Sequence, residues 1–157
     1  NNKIMQELGG ANGLKHELVQ LGDDVSEPQR LEPELNYFDP NSKADTTTPR
    51  AAAQTVNSIL TSNEMNGSNL SLLKQTMIEN KTGDTLIKAG MPNSYTVGDK
   101  SGQALTYATR NDLAFIYPKG QDKPIILAIY SKQDQKDAKP NDKVISDSAR
   151  EVIKYLK

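Results

Sequence analysis

These 157 residues contain no cysteine, no tryptophan and a single histidine. The missing thiols exclude a disulfide scaffold, a thiolate metal site and a cysteine nucleophile together. One histidine, His16, builds neither a multi-histidine zinc site nor a Ser-His-Asp triad. It sits between Lys15 and Glu17 in a helical pattern, the setting of an exposed surface side chain. No apolar run reaches the ~18 residues of a membrane-spanning helix. Neither sign of charge dominates: 19 Lys and Arg against 20 Asp and Glu leave a net charge of −1. That balance carries no footprint for nucleic acid or an anionic membrane. The lysines at 132, 136, 139 and 143 alternate with aspartates and read as a solvated face. Apolar residues make up 35% and aromatic ones 5%, thin for a self-sufficient core.

What is present divides by period. Ile4, Met5 and Leu8 recur at helical spacing and stop at Gly9-Gly10; Leu14, Leu18 and Leu21 repeat the pattern and stop at Gly22. Residues 23–48 hold no period, only scattered Pro, Asn, Ser and Asp, a length at which irregular segments are usually functional or disordered. Thr48-Pro49 then opens a helix with a hydroxyl cap and proline in the first turn. Another helix carries Leu70, Leu73 and Met77 and closes at Asn80-Lys81-Thr82-Gly83, where Gly83 reads as the glycine after the last turn. Beyond it the period shortens. Residues 95–99 and 113–117 read as strands, 118–122 as a turn, and Ile125–Tyr130 as a strand buried on both faces. Val144, Ile145, Ala149, Val152, Ile153 and Leu156 form the stripe of a terminal helix. The expected picture is three antiparallel strands with a helix across them. The apolar third strand has no second partner in the sequence, which would leave an aggregation-prone edge.

Three short runs carry chemistry. The first is Arg30-Leu31-Glu32-Pro33-Glu34-Leu35-Asn36, continued by Asp45-Thr46-Thr47-Thr48. The second is Asp99-Lys100-Ser101-Gly102 on a predicted strand, and the third is Thr109-Arg110-Asn111-Asp112. A carboxylate on a loop can activate a water, a lysine and hydroxyl on a strand can hold an anion, and an arginine fork binds carboxylates. Together they make half of an acyl-transfer site. Lys81-Thr82-Gly83 spells a similar triplet but follows a helix, so the strand triplet takes the assignment.

Taken in register, these runs resemble the class A serine β-lactamases, nearest to the secreted Gram-positive penicillinases, from Asn2 to the end of the chain. The resemblance implies an α+β, β-lactamase/transpeptidase-like fold: an all-α part and an antiparallel sheet flanked by helices, with the site between them. Residues 1–80 would be later helices of the α part, including an Ω-loop at 30–45, and residues 87–157 the last strands and terminal helix. Glu32 would be the base for deacylation, with Asn36 helping to hold the water. Lys100 would supply positive charge, Gln103 one backbone oxyanion donor, and Ser101, Gly102 and Arg110 the pocket for the substrate carboxylate. Asn2, Arg30, Pro33 and Asp45 would support the loop, Arg30 and Asp45 as an ion pair and Pro33 after a cis bond. No metal or organic cofactor is implied.

In that family the nucleophilic serine with its Ser-x-x-Lys lysine, and a Ser-Asp-Asn, precede the position of Asn1. The chain is therefore expected to lack the nucleophile and to need the preceding portion as its partner. Alone it would be inactive; complete, it would be a monomeric, secreted or cell-envelope hydrolase of β-lactam antibiotics, without a nucleic-acid partner or a membrane span. Two alternatives stand beside this: a penicillin-binding transpeptidase, against which the Ω-loop glutamate argues, and a non-catalytic folded module.

Overall fold

A computed structural model describes residues 1–62 and 65–156. Six α-helices and three strands occur among them: α1 (Asn2–Glu7), α2 (Gly10–Gln20), α3 (Pro49–Thr61), α4 (Gly67–Ile78), β1 (Thr96–Gln103), β2 (Arg110–Tyr117) and β3 (Ile125–Ser131). The short α5 (Ile87–Gly90) precedes β1, and α6 (Asp142–Lys154) follows β3. The helix ends follow their local chemistry. Gly9 and Gly22, both at positive φ, terminate α1 and α2. Thr48 Oγ1 accepts from Ala51 N at 3.1 Å with Pro49 in the first turn, and Asn66 and Asn141 cap α4 and α6 in the same way.

The sheet is antiparallel in the order β1-β2-β3. Its register sets Ser101 opposite Asp112, Gln103 opposite Arg110, and Asn111 opposite Tyr130. Because faces alternate along a strand, Val97, Asp99, Ser101, Gln103 and Arg110 share the face covered by α5 and α6. Lys100, Gly102, Asn111 and Phe115 project to the other face. The core lies on the first: Leu86, Ile87, Ala114, Ile116, Ile145 and Ala149 are fully buried together, with Ile125, Leu127 and Ile129 against them. On the second face Gly98 lets the Phe115 ring lie against the backbone; a Cβ there would stand 2.2 Å from Cζ.

Three sequence expectations change here. Ile125–Tyr130 is not a strand buried on both faces: every residue of β3 is half-buried, since it forms one edge of the sheet. The stripe of α6 is narrower than expected. Ile145, Ala149 and Ile153, at i, i+4 and i+8, are buried, whereas Val144, Val152 and Leu156 are exposed. Gly83 does not end α4, whose cap is Glu79, and its φ is not left-handed. Its smallness serves packing instead, because a Cβ would fall 1.7 Å from Asp99 Oδ2.

Candidate functional site

The aperiodic segment closes on itself through a polar neck. Glu27 and Thr46 form an antiparallel bridge. Asp45 accepts from the Gln29 and Arg30 backbone N–H groups at 2.8 and 2.9 Å and pairs with Arg30 Nε at 2.5 Å. Arg30 Nη2 also donates to Tyr37 O at 3.0 Å, so one guanidinium ties both limbs of the loop. Burial works to raise the Asp45 pKa, but the two backbone donors and Arg30 outweigh it and hold the carboxyl below its ordinary range. Behind the neck, buried Asp23 accepts from Ser26 Oγ and Thr55 Oγ1, and Ser26 reaches Thr47.

Within the loop the Glu32–Pro33 bond is cis, and a short 3-10 turn spans Glu34–Asn36. That turn brings Asn36 Nδ2 to 2.5 Å from Glu32 Oε2. Asn2, at the start of α1, brackets the Glu32 peptide: its Nδ2 donates to Glu32 O at 2.9 Å, and its Oδ1 accepts from Glu32 N at 3.0 Å. The exposed Glu32 carboxylate is thus aimed by its own backbone and by Asn36, which leaves its other oxygen toward solvent.

The strand triplet lies on the open edge of β1. Ala104 N–H donates to Thr109 O at 3.2 Å. Hydrogen-bonded pairs alternate along an antiparallel ladder, so the N–H groups of Ser101 and Gln103 point away from β2. Ser101 Oγ meets Thr82 Oγ1 at 2.8 Å, and Arg110 Nη2 donates to Thr82 O at 3.4 Å. Arg110 is also anchored by Asp142 on α6, Nε to Oδ1 at 2.9 Å. That bond to Arg110 is the main reason the Asp142 carboxyl titrates below its ordinary range. Lys100 is exposed and turns its Nζ to Ser101 O at 2.5 Å. Loop and strand meet where Leu105 N–H donates to Asn36 O at 3.1 Å. A cleft of about 490 Å³ separates them, lined among others by Asn36, Phe38, Gly102, Gln103 and Asn111.

Beneath Ser101 lies a buried acidic pair. Asp99 and Asp112 are both fully buried. Asp99 Oδ1 has Lys88 Nζ at 3.2 Å, and Asn80 Nδ2 donates to its Oδ2 at 2.7 Å. Asp112 Oδ2 accepts from Ile87 N at 3.0 Å, while its Oδ1 has no partner. Burial, reinforced by the charge of Asp99, pushes the Asp112 carboxyl up to about 6.

The structure therefore gathers Glu32, Asn36, Asn2, Arg30 and Asp45 in one loop system, and Lys100, Ser101, Gly102, Gln103 and Arg110 along one strand pair. His16 is exposed on α2. Sequence reading missed Thr82, the residue on which Ser101 and Arg110 converge; no periodic or capping signal marks a turn residue for such a role. It also overlooked a literal Ser-x-x-Lys, Ser71-Leu72-Leu73-Lys74. On α4 the Ser71 hydroxyl donates to Gly67 O at 2.8 Å and Lys74 Nζ lies over the Tyr117 ring, so the two do not form a nucleophile–base pair. Among the described residues no cluster of His, Cys, Asp and Glu could hold a metal, and no helix is long and apolar enough to cross a membrane.

A three-stranded antiparallel sheet with its helices, and a necked loop set against a strand edge, together define an architecture that known proteins share. The beta-lactamase enzyme family matches residues 1–156. A beta-lactamase of Bacillus licheniformis is 42% identical over 99% of this chain and 50% of its own length. Beta-lactamase 3 of Bacillus cereus is 41% identical over 100% and 49%. The class A beta-lactamase of Clostridium kluyveri superposes with a TM-score of 0.94 at 41% identity, over 99% of this chain and 58% of that one. The chain belongs to the beta-lactamase enzyme family and, within it, to the class A type. It spans about half the length of the curated relatives it matches.

Proposed function

We propose that this chain supplies the deacylation base and the carboxylate-binding residues of a β-lactam hydrolase whose nucleophilic serine lies on the preceding portion of the same protein. The observation that carries the reading is the Glu32–Asn36 contact at 2.5 Å, on a loop whose backbone Asn2 brackets from both sides.

The acyl-serine left by β-lactam ring opening is an ester, stable until a water is activated beside it. A water held at the free oxygen of Glu32, beside the Asn36 amide, attacks the ester carbon while Glu32 takes its proton. The tetrahedral oxyanion receives the outward N–H of Gln103, a donor of the kind whose loss costs about 3 kcal/mol in acyl transfer. Collapse breaks the carbon–serine bond, and the proton passes to the serine oxygen. Ser101 and Arg110 hold the substrate carboxylate, Arg110 aimed by Asp142 and Gly102 keeping the backbone accessible, while Lys100 contributes positive charge. Arg30, Asp45, Pro33 and Asn2 hold the loop in the shape that aims Glu32.

On this reading residues 1–80 belong to an all-α part and 87–157 to an α/β part. The complete protein is monomeric, acts outside the cytoplasm and confers resistance to penicillin-type antibiotics, while the isolated chain is inactive. The test is Glu32→Gln in the protein carrying the nucleophile. Acylation by a penicillin should persist while turnover falls by roughly 10²–10⁴-fold, with acyl-enzyme accumulating in intact-mass spectra. Full turnover in that variant refutes the assignment.

A further inference from the structure

The β1–β2 connection does more than reverse the chain. Tyr107 and Ala108 both hold positive φ, 59° and 50°, a conformation that non-glycine residues adopt only when their surroundings fix it. Here backbone hydrogen bonds fix it. Tyr107 N–H donates to Lys136 O at 2.8 Å and Tyr107 O accepts from Gln133 N at 2.7 Å, so the segment after β3 holds Tyr107 from both sides of its residue. Its ring then stands edge-on to Phe38 with centroids 5.6 Å apart, and Lys132 Nζ lies 5.8 Å over the same Phe38 ring. The two residues before it bond to the loop as well: Leu105 N–H to Asn36 O at 3.1 Å, and Thr106 Oγ1 to Phe38 O at 3.2 Å. Asn36 is the residue whose amide meets Glu32.

We propose that Tyr107 is a positioning residue for deacylation, which sets the Asn36–Glu32 pair against the β1 edge through the Phe38 ring and the 105–106 backbone. The proposal rests on Glu32 being the deacylation base. It follows from the direction of the contacts: every bond that the 105–107 segment makes to the loop lands on or just after Asn36, none on the neck that Arg30 and Asp45 close. Losing the brace therefore lets the distal limb shift while the neck stays shut. Lys100 and the Gln103 amide, which serve both chemical steps, lie on the far side of Ala104, which keeps its own ladder bond to Thr109.

The experiment resolves the two chemical steps in the protein carrying the nucleophile, by quenched-flow with a penicillin and intact-mass detection. For Tyr107→Ala, deacylation should slow about tenfold or more with acylation within about twofold, since a misplacement of about 1 Å can cost a reacting group up to about 10²-fold. Tyr107→Phe keeps the ring and should restore deacylation to within about twofold. Phe38→Leu, which removes the ring contact from the loop side, should show the same split as Tyr107→Ala and serves if that variant does not fold. Deacylation unchanged in the variants that fold, both steps slowed equally, or Tyr107→Phe as slow as alanine overturns the proposal. Glu32→Gln, run in parallel, separates the two levels. If it traps acyl-enzyme and Tyr107→Ala does not, only the brace is wrong; if it traps none, the base assignment falls too.

Discussion

Replacing Asp112 with asparagine should make the protein more stable, by an amount that depends on pH. Asp112 is fully buried, accepts one hydrogen bond from Ile87 N–H, leaves Oδ1 unpartnered, and feels the charge of Asp99. Its carboxyl is raised from 3.8 to about 6. The folded state therefore binds a proton that the unfolded state has already released, and stability falls as pH rises between about 4 and 6. At about 1.4 kcal/mol per pKa unit, ionised Asp112 costs roughly 3 kcal/mol above that window. Asparagine keeps an acceptor for Ile87 and cannot ionise. The unfolding free energy of Asp112→Asn minus that of the parent should be small near pH 4 and rise by about 3 kcal/mol toward pH 7.5. Urea denaturation at half-unit pH intervals measures it by linear extrapolation. The acids held low, Asp23, Asp45, Asp142 and Asp147, give stability present above their unfolded pKa and lost in acid, but that trend cancels in the difference. A difference flat in pH, or falling with it, would refute the reasoning.

Other expectations are simpler. Gly98→Ala places a Cβ 2.2 Å from the buried Phe115 ring and should lower stability by about 1–3 kcal/mol, read from thermal denaturation. Arg110→Ala should raise KM for carboxylate-bearing substrates about tenfold or more, with a smaller change in kcat, and steady-state kinetics on a substrate pair with and without the carboxylate checks this. His16→Ala, at an exposed position, should change stability by no more than about 0.5 kcal/mol in the same melting assay.

Much of the fold was legible because its signals are local. Thr48-Pro49 announces a helix start, and the turn at 118–122 separates two apolar runs. Gly9 and Gly22 stop helices at positive φ. The readings that failed concern what a residue meets across space. Gly83 looked like a helix stop, but its demand comes from Asp99, sixteen positions away in sequence. Val152 matched the apolar stripe of α6, yet i, i+4, i+8 geometry gives the buried line to Ile145, Ala149 and Ile153. Tyr107 and Ala108 carry no glycine or asparagine to announce left-handed backbone, because the 133–136 segment imposes it. The motifs at 30–36, 45, 100–102 and 110 were found through resemblance, and the structure adds how their members touch. Thr82 shows the limit: its hydroxyl and carbonyl matter only once β1 and β2 lie beside the turn.

The open edge of β1 has a consequence for any ligand that lies along it. With the N–H groups of Ser101 and Gln103 turned outward, that edge is an unfilled place in a sheet, and a flat amide-bearing molecule can occupy it as a strand would. Recognition of this kind is written in the main chain, so exchanging side chains at 101 or 103 leaves its hydrogen bonds in place. Only a change to the backbone itself, such as proline at 103, deletes one of them. Molecules that draw their affinity from this edge therefore ask for features that point mutation alters least.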